Sequence, residues 1–416
     1  MNTSSPSLQQ IRTLDQSDPL AAKRDEFVLP SNTIYLNGNS LGPLTRGAQL
    51  RGHEVIEQQW GKDLIASWNQ HAWIDLPFTS AQKIAPLLGA DASQLVCCDS
   101  VSINLLKLLS TCLQLQTDRT IILSQEDNFP TDLYVAQGLQ SMLGPALCQL
   151  KTVTADELID ALDENIAVLF LTEVNFRNGD RHDIQQLTAL AQDKGILVIW
   201  DLSHSTGVLP IHLDDWSVDF AVGCGYKYLN GGPGAPAFIY ANKRHHERIE
   251  QPIQGWMGHK DPFAFDPSYK KGLGVAQFLT GTPAIVSLAI LDSALDVFSD
   301  IEITTIYGKA TALSEMFLGL IKDADVLQEL KLESSADPSL RGAQLAFSHS
   351  DAYGICRALN EAGVVVDFRS PDIIRFGFSP LFLRFEDIWL ATQMLMKTLE
   401  DKTYLAEKYS RKLKVT

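Results

Sequence analysis

The sequence predicts an α/β protein, with a large domain built on a mostly parallel sheet covered by helices and a smaller α+β domain at the C-terminus. Three observations predict it. From residue 80 to 240, short apolar runs alternate with segments of helical period, the pattern of a parallel sheet buried on both faces. Beyond Pro283 that alternation gives way to a long helical segment and a few short strands. The 416 residues also exceed what one hydrophobic core usually holds, so two domains are expected. The expected divisions are an N-terminal arm and small-domain segment over 1–48, a large domain over 49–283 and a small domain over 284–416.

Taken in order, residues 1 to about 25 are polar and predict a loosely held arm. Asn-Thr-Ile-Tyr-Leu-Asn-Gly-Asn-Ser-Leu-Gly-Pro (32–43) predicts a short strand and a turn-rich loop. Strands are expected at 95–98, 120–123, 166–173, 196–201, 219–224 and 235–240. An apolar helix is expected over 103–113, and Ile184, Leu187 and Leu190 form a helical stripe that Gly195 terminates. In the C-terminal part a helical segment over 284–322 precedes strands near 345–348, 364–367 and 373–377 and a helix over 385–399. In sheets of this kind ligands bind at the carboxyl ends of the strands. Asp201, Asp99 to Ser102 and the loop around Lys227 all fall there.

The bulk properties narrow the function. A net charge of −16 argues against nucleic acid and anionic membranes as main partners. Any anionic ligand must then meet a local basic pocket. The six cysteines form no CxxC pair and no metal-like grouping with histidine, which predicts reduced thiols and no metal site. Met-Asn-Thr-Ser-Ser-Pro-Ser has no charged-then-apolar signal pattern, and no stretch approaches a membrane span, so a cytoplasmic protein is expected.

The chemistry centres on Lys227, set in Val-Gly-Cys-Gly-Tyr-Lys-Tyr-Leu-Asn-Gly-Gly-Pro-Gly, and on Asp201, which ends the apolar run 196–200. A strand-end aspartate and a lysine one crossover later are the two groups that pyridoxal phosphate requires. The lysine forms the Schiff base and the carboxylate keeps the pyridinium nitrogen protonated. A cap or salt bridge is the other role open to Asp201, and a solvated loop position the other open to Lys227. Gly223 and Gly225 are expected to let the backbone approach the cofactor, with Gly231, Gly232 and Gly234 shaping the loop behind it. Ser102 and the amides around it open a helix, where backbone donors favour a phosphate; plain capping by Asp99 or Ser100 is the competing reading. Tyr226 offers a further hydroxyl. Phe129 is placed to stack on a ring, and Asp132 to join the phosphate-side network or cap the next helix. His204 is a candidate to stack on the ring or to meet its 3′ oxygen. Arg375, flanked by apolar residues in a short strand, matches a substrate carboxylate bidentately, or else pairs internally with Asp367 or Asp372. Trp256 and Gly281-Thr282-Pro283 lie in loops near the domain boundary, where packing and a turn are equally open.

Five segments in this order resemble kynureninase: Leu-Asn-Gly-Asn-Ser-Leu-Gly, Asp-Asn-Phe-Pro-Thr-Asp, Trp-Asp-Leu-Ser-His-Ser-Thr-Gly, Gly-Tyr-Lys-Tyr-Leu-Asn-Gly-Gly-Pro-Gly-Ala-Pro and Ile-Arg-Phe-Gly-Phe-Ser-Pro. The resemblance runs from about residue 30 to 395, and a bacterial kynureninase is the nearest likeness. It implies the fold type I of pyridoxal-phosphate enzymes and hydrolysis of the Cβ–Cγ bond of L-kynurenine, and of its 3-hydroxy derivative as a second candidate, within tryptophan catabolism and NAD biosynthesis. It further implies Lys227, Tyr226 and Asp201 as catalytic residues. Val101, Ser102, Phe129, Pro130, Thr131, Asp132, Thr172 and His204 would line the cofactor. Trp256 and Thr282 would complete its phosphate end from the neighbouring subunit of a homodimer, and Arg375 would hold the substrate carboxylate. Val101, Thr282 and Phe176-Arg-Asn-Gly depart from the family's usual residues. Trp68, His71 and Trp73 are aromatic candidates for the aryl pocket. A cysteine desulfurase or an aminotransferase is the alternative enzyme, although Cys356 sits in an apolar helical stretch that suits core packing. A cofactor-free binding protein on the same fold is the alternative of another class.

Overall fold

In the computed structural model, residues 7–323 and 328–413 are described. Seven strands form the central sheet, in the spatial order Leu95–Cys98, Ala237–Ala241, Phe220–Gly223, Leu197–Asp201, Ile166–Thr172, Ile121–Gln125 and Gln149–Val153. Only Ala237–Ala241 runs antiparallel to its neighbours; the remaining pairings are parallel. The expected mostly parallel sheet is present, with one strand that the sequence reading passed over. Gln149–Val153 lies at the sheet edge and alternates exposed with covered residues, so it lacks the apolar run that marks the others.

Those runs are apolar throughout because each face of the sheet is covered. Val96, Ile122, Phe170, Ile199 and Val222 face Leu105, Leu108 and Cys112 of the Val101–Leu115 helix, together with Ala136 and Leu139 of Pro130–Leu143. Cys97, Leu123, Leu169, Val198, Trp200 and Phe238, one residue out of phase, face Ile84, Leu187, Leu288 and Leu291. Successive side chains of a strand point to opposite faces, so each run feeds two separate cores. Each fully buried aliphatic side chain contributes about 1.5–3 kcal/mol.

A second sheet has four antiparallel strands in the order Asp367–Arg369, Ile373–Gly377, Gln344–Ser348, Lys331–Leu332. The helical segment expected over 284–322 is interrupted: Ile285–Ala294 and Ile303–Asp323 are separate helices, and between them Asp300 takes a left-handed φ of 62°. The strand expected at 364–367 also divides. Val364–Val365 pairs in parallel with Ile34–Tyr35, while Asp367–Arg369 joins the four-stranded sheet.

The N-terminal segment departs most from expectation. From residue 7 it is held, not loose. Ser7 and Gln10 form a capping box for the helix Leu8–Ser17. The Asp15 carboxylate then accepts the amides of Phe385 (2.7 Å) and Glu386 (3.0 Å), capping the helix Phe385–Glu400. Arg12 pairs with Glu386 at 2.8 Å, Arg24 with Asp387 at 2.8 Å, and the buried Lys309 with Asp18 at 2.6 Å. Residues 1–6 of the expected arm lie outside the described residues.

Candidate active site

The carboxyl ends of the central strands open into a cavity of about 650 Å³, within the range of small-molecule sites. Val101, Ser102, Phe129, Thr131, Asp132, Thr172, Asp201, His204, Tyr226, Lys227 and Thr282 all line it. Pro130, Trp256 and Arg375 do not. Pro130 is the first residue of its helix, where its missing N–H costs nothing. Trp256 lies in a surface depression with His259, Phe265 and Tyr269, stacked on Phe265 at 6.3 Å.

Lys227 follows the strand Phe220–Gly223 in a loop whose glycines serve the protein itself. A Cβ at Gly225 would lie 2.4 Å from the Pro236 carbonyl oxygen, and one at Gly223 would lie 2.6 Å from the Phe238 ring. These two glycines thus let the strand and its loop close on the neighbouring strand Ala237–Ala241 and the residue before it. The Lys227 amine stands 2.9 Å from His204 Nε2 and about equally far from the Phe129 and Tyr226 rings, at 6.0 and 5.9 Å.

His204 is buried, and its Nδ1 has no partner. Burial, followed by the Lys227, Arg375 and Arg369 cations, holds its pKa well below the ordinary histidine range, so the imidazole is neutral. Asp201 ends its strand and accepts from the Ser203 amide (2.8 Å) and hydroxyl (2.5 Å). Beside it lies Asp132, buried in the first turn of Pro130–Leu143 and hydrogen-bonded to Asp201. Burial and then the Asp201 charge push the Asp132 carboxyl well above the usual carboxylate range, so one proton serves the two acids. The Thr172 hydroxyl reaches Asp132 at 3.4 Å, and the Thr172 amide donates to Asn128 Oδ1 at 3.0 Å. Burial, with the Cys224 thiol and Asp201 nearby, raises the Tyr226 pKa, leaving the phenol protonated and a donor.

At the opposite end the Val101–Leu115 helix points its N-terminus at the cavity. Ser100 is the N-cap, its hydroxyl accepting the Ile103 amide. The cap therefore falls to Ser100, and Ser102 is left to face the cavity. Helix geometry leaves the first amides, Val101 and Ser102, without intrahelical partners, and the helix dipole favours an anion there.

Arg375 is buried in the second sheet, where strand register places it directly opposite Asp367. It donates to that carboxylate through Nε (2.8 Å) and Nη2 (2.5 Å), to the Ser40 hydroxyl at 2.8 Å and to the Phe176 carbonyl. The internal pairing with Asp367, one of the two roles open from sequence, is present. Arg369, which the sequence reading did not single out, shares the same acid at 3.0 Å. Two guanidiniums thus face one carboxylate. Trp68, His71 and Trp73 do not line the cavity: Trp73 donates to Gln59 at 2.7 Å, Trp68 packs edge-on against it, and His71 meets Asp63 at 2.7 Å.

Sequence reasoning placed Asp99 at the ligand end of its strand but did not single out Ser203 and Cys224 as lining residues. Ser203 carried a signal, since a serine two positions after an aspartate is a local turn pattern. No group of three or more His, Cys, Asp or Glu among the described residues is placed to hold a metal ion.

The donor set fits pyridoxal phosphate. Free helix amides and the Ser102 hydroxyl face one end, an acid pair and the buried imidazole of His204 the other, and a lysine amine stands between aromatic rings.

Comparison with known proteins agrees. A family model described as the kynureninase C-terminal domain matches residues 306–395. The kynureninase of Burkholderia mallei is 42% identical over 98% of this chain and 99% of its own. That of Deinococcus radiodurans is 44% identical over 95% and 97%. Among solved structures, the apo cysteine desulfurase of Thermococcus onnurineus superposes with a TM-score of 0.77 at 15% identity, covering 91% of this chain and 98% of the other. A C-DES mutant with glycine covalently linked to its pyridoxal-phosphate cofactor gives 0.75 at 16%, covering 94% and 99%. The structures share the fold.

Proposed function

The chain belongs to the kynureninase family, and we propose that it hydrolyses the Cβ–Cγ bond of L-kynurenine to anthranilate and L-alanine with pyridoxal 5′-phosphate as cofactor. The observation that carries the substrate is identity of 42–44% to kynureninases over nearly the whole chain. 3-Hydroxy-L-kynurenine is a second substrate in this reading, and tryptophan catabolism is the setting.

When bound, pyridoxal phosphate supplies an aldehyde that takes up an amino group and a ring that withdraws electrons from the substrate's α-carbon. Lys227 would hold the cofactor's aldehyde, and its amine is the group placed to carry the substrate's α-proton. His204, neutral and 2.9 Å from the amine, fixes where Nζ rests. Asp201, steadied by Ser203, would face the ring nitrogen, and Asp132 carries the proton that keeps the two acids compatible. Tyr226, with its phenol protonated, is the proton donor as the alanine fragment is completed. Val101 and Ser102 would hold the phosphate, joined by Thr282, which stands on the wall of its own chain's cavity, while Thr131, Thr172 and Phe129 would border the ring.

Arg375 anchors the substrate carboxylate. Its cluster carries one guanidinium more than Asp367 balances, which supports an anion-binding role. A homodimer is the proposed functional unit, with Trp256 serving the neighbouring site. The exposed Trp256, Phe263, Phe265 and Leu273, none of which lines the cavity of its own chain, support it. The divisions 49–283 and 284–416 remain the proposed domains, and a cytoplasmic location the proposed compartment. No helix among the described residues is long and apolar enough to cross a membrane.

The desulfurase alternative requires a reactive thiol. Cys97, Cys98 and Cys224 do line the cavity, but burial pushes Cys98 up to about 12 and Cys97 upward as well, and the thiolate is the nucleophile. Cys356 is buried and donates to the Val366 carbonyl. The test is anthranilate fluorescence from kynurenine with no keto acid added. Its absence from cofactor-loaded protein sinks the proposal.

A further inference from the structure

Lys107 has no exposed surface, yet it lies two turns into the Val101–Leu115 helix. Nothing general favours it there. A fully buried lysine is costly unless paired, and a cation near a helix N-terminus opposes the dipole. Its amine donates to Asp99 Oδ2 at 2.5 Å and to the Phe278 carbonyl at 2.6 Å, with Cys98 Sγ at 4.0 Å. These partners lie on or next to two walls of the cavity: Cys98 to Ser102 form one, and Leu279 to Thr282 the other. Asp99 itself takes a left-handed φ of 45°, a region few residues other than glycine occupy; its side chain is 31% exposed, and the residue lines the cavity beside Ser100, Val101 and Ser102. An unpaired carboxylate at that position would repel a phosphate dianion.

We propose that Lys107 is a positioning residue for the cofactor phosphate: its ammonium neutralises Asp99 on the cavity wall and draws that carboxylate away from the helix N-terminus. The proposal rests on the cofactor reading above. It makes no use of Lys107 touching the cofactor, and it accounts for the burial of a charge that packing does not require. The Phe278 carbonyl completes the lysine's coordination and keeps its head between the two walls.

The experiment measures equilibrium binding of pyridoxal phosphate, and separately of pyridoxal, to the full-length apoprotein by tryptophan fluorescence, with the thermal midpoint of each apoprotein as a folding control. Lys107→Met is expected to weaken binding of pyridoxal phosphate roughly ten-fold or more and that of pyridoxal less than about two-fold. Lys107→Met with Asp99→Asn removes both charges and is expected to restore pyridoxal phosphate binding to within about three-fold of the parent. Equal losses for both ligands, or no change for either, overturn the proposal. The double variant buries no unpaired charge, so it keeps the test open if the single variant does not fold; a loss in the double as large as ten-fold overturns neutralisation. A parent protein that binds pyridoxal as tightly as pyridoxal phosphate overturns the phosphate assignment itself, and the proposal with it.

Discussion

Two acidic groups in this molecule are treated in opposite ways. Asp201 has another carboxyl, Asp132, for its neighbour, whereas Asp367 is held between Arg375 and Arg369. The first site sets two acids against the single Lys227 amine, and the second has a guanidinium to spare. The local electrostatics of each follow: burial and Asp201 push Asp132 up, while Asp367, although burial works to raise it, is held below the usual carboxylate range by Arg375 and Arg369. A site short of cation suits a protonated ring nitrogen, and a site short of anion suits a carboxylate. In the function proposed here, the two imbalances would serve the two ends of a complex between pyridoxal phosphate and an amino acid.

The comparison can be broken at several points. Lys227→Ala removes the amine between the two ends and should lower anthranilate formation by about a thousand-fold or more, with loss of the cofactor's visible absorbance. Asp201→Ala removes the acid facing the ring and should lower kcat about a hundred-fold or more, while Arg375 and its pairing stay intact. Arg375→Met leaves Asp367 buried beside Arg369 alone, at a cost of about 3–5 kcal/mol in stability, read as a lower Tm together with a raised KM. Arg369→Met sharpens the point. It removes the spare charge but keeps the Arg375–Asp367 pair, so KM for kynurenine should rise about ten-fold with little change in Tm.

The smallest effect concerns Asp132. Its folded-state pKa is raised, so the folded protein binds that proton more tightly than the unfolded chain does. The associated stability is present below the ordinary carboxylate pKa of about 4 and is lost as pH rises through the higher folded value. Asp132→Asn keeps a hydrogen-bond donor toward Asp201 and has no proton to lose. The apoprotein variant should therefore show a flatter fall of Tm with rising pH than the parent, and activity within about ten-fold of it. A steeper fall would show that Asp132 is not the protonated partner.

Much of this was legible from sequence wherever the signal was local. Apolar runs reaching Asp201 and Glu173, and a helix opening after Asp99-Ser-Val-Ser, mark the strand ends and the helix start because strand, cap and turn are decided within a few residues. Lys107 had a local signal too, a lone lysine in Leu-Leu-Lys-Leu-Leu. What it pairs with did not, since Phe278 is 171 residues away. Arg375 shows the limit from the other side. Asp367 stood among its possible partners, but only the register of two short antiparallel strands sets them opposite each other. Gly225 signals a close approach without saying what approaches.

The cap that Asp15 provides has a consequence for how the chain is made. The amides it satisfies belong to residues 370 and 371 positions later. At about 5–20 residues per second, translation separates the two by roughly twenty to seventy seconds. Through that interval the first helix waits without its partner, and the last helix is born with its partner already exposed. The C-terminal unit is therefore sealed by a segment made long before it, and a ribosome stalled before residue 385 leaves that seal unmade.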